Sequence, residues 1–167
     1  AAVKVCEAIE AVADKSPLIK WVNDIFLDRK KICGILTEAV ADFESGGVQW
    51  IVLGIGVNFS ADKNSFPDDL RQVAGAVFPS GSHSVTRNQL AAEIINRILH
   101  HSERDYEEAL GGYKRRMMML GKKISVVGPE GTYRATAVDI DDTGRLIVQT
   151  EGGETRVLSS GEISIRK

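Results

Sequence analysis

Along the first residues of the chain, apolar positions recur with a helical period: Ala2, Val5, Cys6, Ile9, Val12 and Ala13 fall on one side, and Lys4, Glu7, Glu10 and Asp14 on the other. This spacing predicts a surface helix that ends near Lys15 and is broken by Ser16-Pro17. Leu18 to Trp21 reads as a short strand leading into the turn-forming pair Asn23-Asp24. Ile25 to Leu27, Lys31 to Glu38 and Val48 to Ile55 are strand-like runs separated by Asp28-Arg29-Lys30 and Ser45-Gly46-Gly47, which predicts three neighbouring antiparallel strands. Ser60 to Ser84 is rich in Ser, Asp, Pro and Gly and reads mostly as loop, with only Leu70 to Val77 dense enough in apolar residues for a short helix.

Thr86-x-x-Gln89 has the form of a capping box, in which each side chain satisfies a free amide at a helix start. Leu90, Ala91, Ile94, Ile95, Ile98 and Leu99 follow at helical spacing, and Gly111-Gly112 is the expected end of that helix. A short helical link, Tyr113 to Leu120, then leads to Gly121. From Lys122 the texture changes to short strands: Lys122 to Val127, Thr132 to Asp139, Arg145 to Thr150, Thr155 to Leu158 and Ile163 to Arg166, divided by Gly-, Pro- and Asp-rich turns. Such a series suggests a small barrel, too small to be secure alone, with a domain boundary near Leu120.

Composition narrows the classes. A chain of 167 residues with 43% hydrophobic and 26% charged residues fits a folded domain with a small appendage. Cys6 and Cys33 are far apart and form no C-x-x-C pair, which fits a reducing cytoplasm better than a disulfide or zinc framework. A net charge of −2 gives no electrostatic footprint for DNA. No apolar run approaches a membrane span and no export leader is visible. The chain opens on Ala1-Ala2-Val3, already inside an amphipathic pattern and without an initiator Met, which reads as a fragment.

Three segments could carry chemistry. Lys20-Trp21-Val22-Asn23-Asp24 places a cation and a polar turn at the two ends of an apolar strand end; as a plain hairpin, Trp21 would be core and Asn23-Asp24 turn formers. Asp28-Arg29-Lys30-Lys31 leads into a strand containing Gly34, a residue that often marks close approach of a ligand or a second backbone. Composition keeps Lys30 in water at a hairpin tip and leaves Lys31 open between solvent and ligand. Gly54-Ile55-Gly56-Val57-Asn58 lacks the third glycine and the following helix of a dinucleotide cradle, yet two glycines at a strand end permit a small ligand to approach the backbone. His100-His101 diverge on a helix, Met117-Met118-Met119 reads as packing, and Asp141-Asp142 as a turn.

In order and spacing, Lys20-Trp21-Val22-Asn23-Asp24, Lys31-Ile32-Cys33-Gly34-Ile35-Leu36, Gly54-Ile55-Gly56-Val57-Asn58 and the closing Gly161-Glu162-Ile163-Ser164-Ile165-Arg166 resemble biotin protein ligases over nearly the whole chain. The resemblance implies an α+β fold: residues 1–120 as the C-terminal part of a class II synthetase-like catalytic domain, with an incomplete mixed or antiparallel sheet carrying helices on one face, and residues 121–167 as an SH3-like barrel. It implies two steps. Biotin and ATP with Mg²⁺ give biotinyl-5′-AMP and pyrophosphate, and the acyl group then passes to a lysine of a biotin carboxyl carrier protein. Biotin and MgATP are substrates on this view, with no tightly bound cofactor and no protein metal site.

The resemblance also implies roles. Lys31 matches the lysine that approaches biotin and the α-phosphate, where an ammonium offsets negative charge as carboxylate and phosphate combine, a term worth ~10²–10³ in rate for comparable donors. Asn23 and Asp24 match a substrate-facing turn that holds the nucleotide or orients the incoming lysine, and Lys20 matches a phosphate or carboxylate contact. Gly34, Leu36, Gly54 and Gly56 match positions against the biotin rings, Asn58 one near the adenylate, and Glu162 and Arg166 a closure over the nucleotide end. Two departures stand out. Val22 replaces a usual proline, which should loosen the turn, and nothing resembles the upstream Gly-Arg-Gly-Arg loop that grips biotin and phosphate, so little or no ligase activity is expected of these residues alone. Missing strand partners would expose a sheet edge, compatible with a homodimer. The rival readings are a lipoate ligase or octanoyltransferase, disfavoured by the Gly161-Glu162-Ile163-Ser164 ending, and a non-catalytic dimerisation or docking module.

Overall fold

In the computed structural model, which describes residues 1–42, 46–78, 83–100, 106–128, 131–159 and 162–165, the N-terminal periodic segment is helix α1 (Ala2–Ala13). It buries Val3, Val5, Cys6, Ala8 and Ile9, and stops where Asp14 turns left-handed (φ 50°) and donates its N–H to the Glu10 carbonyl. The chain divides into two compact units, Ala1–Pro17 with Asn23–His100 and Leu18–Val22 with His101–Lys167. Among the described residues no helix is long and apolar enough to cross a membrane.

The first unit is built on β2 (Asp24–Leu27), β3 (Lys30–Ala41) and β4 (Val48–Val57), antiparallel and in that order. Asp28 and Arg29 join β2 to β3, both at positive φ (48° and 65°), the combination that lets a two-residue turn match the right-handed twist of its strands. Register sorts the side chains by face. Ile25 lies opposite Cys33 and Cys33 opposite Val57, on the face buried with α1 and α2, where Ile25, Cys33 and Ile35 are core. Asp24, Gly34 and Gly56 form the adjacent row on the other face. Beyond Leu36 the hairpin runs on to Ala41 with Val40 opposite Trp50 and Ala39 opposite Ile51, exposed on both faces. The one-sided burial that creates alternation is absent there, which is why the pattern marks strand only to Glu38.

The segment after β4 departs from expectation. No helix forms over Leu70–Val77. A 3₁₀ turn occupies Lys63–Ser65, and a hydrogen-bonded turn follows in which Leu70 and Arg71 N–H donate to the Pro67 carbonyl and Ala74 N–H to Leu70. Gly75 to Phe78 then extend, because Val77 and Phe78 donate to the Asn58 and Phe59 carbonyls and are no longer available to a helix. Helix α2 (Arg87–Leu99) carries the expected reciprocal cap: Gln89 N–H donates to Thr86 Oγ1 at 3.2 Å and Thr86 N–H to Gln89 Oε1 at 2.7 Å. Leu90 and Ile94 are buried, and Arg97 reaches Glu93 on its own helix and Glu7 on α1.

In the second unit α3 (Tyr106–Arg116) runs straight through Gly111-Gly112, the pair expected to end a helix, and α2 has already stopped at Leu99. Two interior glycines cost about 1 kcal/mol each relative to alanine. Against that, Glu107 and Glu108 sit in the first turn and Lys114, Arg115 and Arg116 in the last, each sign where the helix dipole favours it, and Gly112 is buried. The short strand β1 (Leu18–Lys20) is tied to the end of this helix, Met118 N–H donating to Ile19 O at 2.9 Å. The Trp21–Val22 peptide is cis, Trp21 Nε1 donates to Gly144 O at 3.0 Å and Tyr113 Oη to Val22 O at 2.7 Å.

Strands β5 (Lys123–Gly128), β6 (Gly131–Ile140), β7 (Leu146–Thr150), β8 (Thr155–Leu158) and β9 (Glu162–Ile165) form one antiparallel sheet in the order β8-β7-β6-β5-β9. Its core is Ile124, Val126, Ala135, Ala137, Ile140, Leu146, Val148 and Ile163. The Asp141-Asp142 segment is a turn, as its composition predicts. Asp141 accepts from Thr143 N–H, Thr143 Oγ1 and Arg145 N–H on one carboxylate oxygen and from Arg145 Nε at 2.7 Å on the other. Burial would raise this carboxyl, but these hydrogen bonds outweigh it and hold it well below the usual carboxylate range. Met117 and Met119 are packing residues, and His100 caps α2, its ring nitrogen 2.7 Å from the Asn96 carbonyl, while His101 lies outside the described residues.

Candidate functional site

Lys31 enters β3 next to Asp24, the first residue of β2, and their charged ends meet, Nζ to Oδ1 2.6 Å. Both remain accessible, with 45% and 30% of their side chains exposed. An ion pair this wet contributes at most about 1 kcal/mol to stability, so its value lies in where it holds the ammonium. Gly34 is the floor beneath it: a Cβ there would lie 3.5 Å from the Lys31 Cε and Nζ and 3.8 Å from the Asp24 carboxylate. At Gly56, directly across, an added Cβ would meet only the Gly34 carbonyl, at 3.8 Å. The next row pairs Gly54 with Leu36, itself 61% exposed. The result is a strip of bare backbone bordered by one apolar side chain and ending at a cation and a carboxylate. A flat apolar ring can lie on such a strip, and an anionic group attached to it can exchange with Asp24 at the ammonium.

The other expected site residues fall differently. Asn23 supplies the carbonyl that accepts from Ile35 N–H at 3.1 Å, which fixes the Asn23-Asp24 turn to β3. Asn58 is tied on three sides: its N–H donates to Ile32 O, its carbonyl accepts from Val77 N–H, and its side-chain amide donates to Gly75 O at 2.9 Å. Lys20, half-buried at the end of β1, and Glu162, at the start of β9, belong to the second unit; Arg166 lies outside the described residues. Cys33 faces the helices, 2% exposed. Burial first, and then the charge of Asp24, push its thiol up to about 12 against the opposing pull of Lys31, so it remains a neutral packing group. Among the described residues no cluster of three or more His, Cys, Asp or Glu is placed to hold a metal.

Sequence reasoning missed Lys30. Expected in water, it instead donates through Nζ to the carbonyls of Gln72 at 2.6 Å and Arg71 at 3.0 Å. A cation satisfies carbonyls left over at the end of a turn, but the partners lie 41 and 42 residues away and no local signal marks them. Gly75 was missed with it; its backbone lies so close to Lys30 that an added Cβ would come within 2.5 Å of the Lys30 Cβ.

Residues 119–166 match the family described as Biotin protein ligase C terminal domain. The chain is 31% identical over 168 residues to the bifunctional ligase/repressor BirA of Bacillus spizizenii, an alignment that covers 96% of this chain and 50% of the relative. It is 29% identical over 150 residues to the biotin–[acetyl-CoA-carboxylase] ligase of Mycobacterium tuberculosis, covering 87% and 52%. The chain therefore spans about half the length of the curated relatives it matches. Its fold superposes on biotin protein ligase from Aquifex aeolicus in complex with biotin and ATP with a TM-score of 0.78 and 25% identity, over 99% of this chain and 68% of that one. With the motif residues standing on the Asp24–Gly34–Gly56 row, these likenesses place the chain in the biotin protein ligase family, as a counterpart of its C-terminal portion.

Proposed function

We propose that this chain carries the lysine-bearing side of a biotin protein ligase site, and that the observation supporting this most directly is the accessible Lys31–Asp24 pair at the end of the glycine strip. The biotin rings lie along Gly34, Gly54 and Gly56 with Leu36 beside them, which brings the biotin carboxylate to Lys31. A carboxylate oxygen attacks the α-phosphorus of ATP, pyrophosphate leaves with its Mg²⁺, and the Lys31 ammonium offsets the charge gathered between the two anions. In the second step the amine of a carrier-protein lysine attacks the acyl carbon and AMP leaves, with Asn23 and Asp24 orienting the incoming amine and Asn58 keeping the nucleotide-side backbone in place. Lys20, Glu162 and Arg166 are assigned to the phosphate and nucleotide end.

The remaining features follow the same reading. Residues 1–120 form the C-terminal part of a class II synthetase-like catalytic domain and 121–167 an SH3-like barrel, supported by the family match that begins at residue 119. The partner is a biotin carboxyl carrier protein. The apolar arm of β3 and β4, with Trp50, Ile51 and Val52 exposed at the sheet margin, suits pairing with a second copy. The two cysteines are free, as suits a reducing cytoplasm. The 167 residues contain no Gly-Arg-Gly-Arg motif, so phosphate donors must be supplied to them. The test is biotinyl-AMP formation from biotin and MgATP by the chain alone and mixed with the glycine-arginine segment of a related ligase. Activity in the mixture alone supports the reading. Full activity of the chain alone contradicts its account of phosphate binding, and none in either overturns it.

A further inference from the structure

Lys31 is held through its backbone in an unusual way. The ladder between β2 and β3 loses register between Ile25 and Phe26, just where Lys31 lies, and both of its backbone groups go elsewhere: Lys31 N–H donates to Val73 O at 2.7 Å, and Lys31 O accepts from Gly75 N–H at 2.9 Å. The segment 73–75 thus does for Lys31 what a neighbouring strand would do. On its C-terminal side the segment is anchored by the buried Ala76 and Val77 and by the Val77 N–H bond to Asn58 O; its N-terminal side has less to hold it. Val73 and Leu70 are exposed, and the turn before it leaves the carbonyls of Arg71 and Gln72 facing Lys30, whose ammonium takes both. The Lys30 stem lies against Gly75, too close for any side chain at that position, and the Asn58 amide donates to the Gly75 carbonyl.

We propose that Lys30 is a positioning residue, which with Gly75 latches the 67–75 segment onto the start of β3 and so fixes the backbone from which Lys31 reaches the reacting atoms. Two adjacent lysines then divide the work: the first fastens the scaffold and the second faces the substrate. The consequence for catalysis rests on the reading of Lys31 given above, but the latch itself does not, and the two are separable by experiment.

Backbone amide exchange, followed by NMR on the ligand-free chain, tests the latch without requiring any activity. In Lys30→Met the amides of Lys31 and Gly75 exchange about tenfold faster or more, as expected for local opening, while amides in α1 keep their rates; reductive methylation of Lys31 with formaldehyde and borane also accelerates. Lys30→Arg restores both, since a guanidinium can serve the same two carbonyls. Gly75→Ala reproduces the Lys30→Met pattern with Lys30 intact. Unchanged exchange at Lys31 and Gly75 in Lys30→Met overturns the proposal, as does an equal acceleration throughout the first unit, which would make Lys30 a general stabiliser. In a chain supplied with the glycine-arginine segment, biotinyl-AMP formation falls in Lys30→Met and recovers in Lys30→Arg. If exchange behaves as stated but no biotinyl-AMP forms even in the unaltered chain, the latch stands and the ligase reading fails.

Discussion

Asp141, in the second unit, and Asp24, in the first, are both carboxylates beside a basic residue, and the protein treats them in opposite ways. The Asp141 carboxylate is saturated: two backbone amides, a hydroxyl and a guanidinium converge on it and close one tight turn. Asp24 has a single ion pair among the described residues, made to a lysine that is 45% exposed and stands over a glycine. Saturation suits a staple, because four donors already occupy the carboxylate and a ligand would have to displace them. An unsaturated pair on bare backbone suits a site, because an incoming anion can replace the carboxylate at little cost.

Altering either carboxylate's surroundings should therefore produce different losses. The largest is at Lys31: Lys31→Met keeps the stem, removes the charge and lowers biotinyl-AMP formation about 10²–10³-fold, read as pyrophosphate release with the glycine-arginine segment supplied. Next is Gly34→Val, which fills the bare strip beside Lys31, where a Cβ alone is already in contact with the Lys31 Nζ at 3.5 Å, with a branched side chain in the path of the biotin rings. Crowding of this kind costs about 1–3 kcal/mol, so biotin affinity measured by titration calorimetry drops by about tenfold or more. Asp141→Ala lowers the melting temperature and leaves biotinyl-AMP formation per folded molecule unchanged. Because the folded-state carboxyl is depressed, the stability it supplies is fully present above the ordinary carboxylate range and is lost as pH falls through its lower folded value. The melting-temperature gap between Asp141→Ala and the unaltered chain should thus hold from pH 7 to about pH 5 and close only in stronger acid.

The smallest effect concerns Cys33. Its folded-state pKa is raised from 9.0 to about 12, so the contribution of this group is constant below pH 9 and stability declines as pH rises from there through 12. Iodoacetamide at pH 8 should leave Cys33 unlabelled in the folded chain and label it in denaturant, as shown by peptide mass spectrometry.

Much of this architecture is local, and local features were legible. The Thr86–Gln89 cap, the α1 stripe and the turn-punctuated strands after Lys122 depend on residues a few positions apart, and the structure keeps them within a residue or two. The helix expected over Leu70–Val77 failed because Gly75 and Val77 are bonded to Lys31 and Asn58, partners that composition does not reveal. Gly111-Gly112 failed as a stop because burial of Gly112 and the end charges of α3 outweigh intrinsic preference. At the site, the three motifs could be seen separately, but the row Asp24–Gly34–Gly56 exists only through strand register. Lys31 stands out by its place before Ile32-Cys33-Gly34-Ile35-Leu36, but Lys30 reads only as a solvated hairpin-tip lysine; the carbonyls it binds come from the turn after Pro67.

On this reading the open pair is the chemical one and the saturated carboxylate is not. The most direct measurement is biotinyl-AMP formation per folded molecule for Lys31→Met and Asp141→Ala, side by side in the completed enzyme with folded fractions matched from their melting curves. The first should lose about 10²–10³-fold and the second should keep an unaltered rate. Equal losses, or a Lys31→Met chain that still forms biotinyl-AMP at the original rate, would contradict this reading.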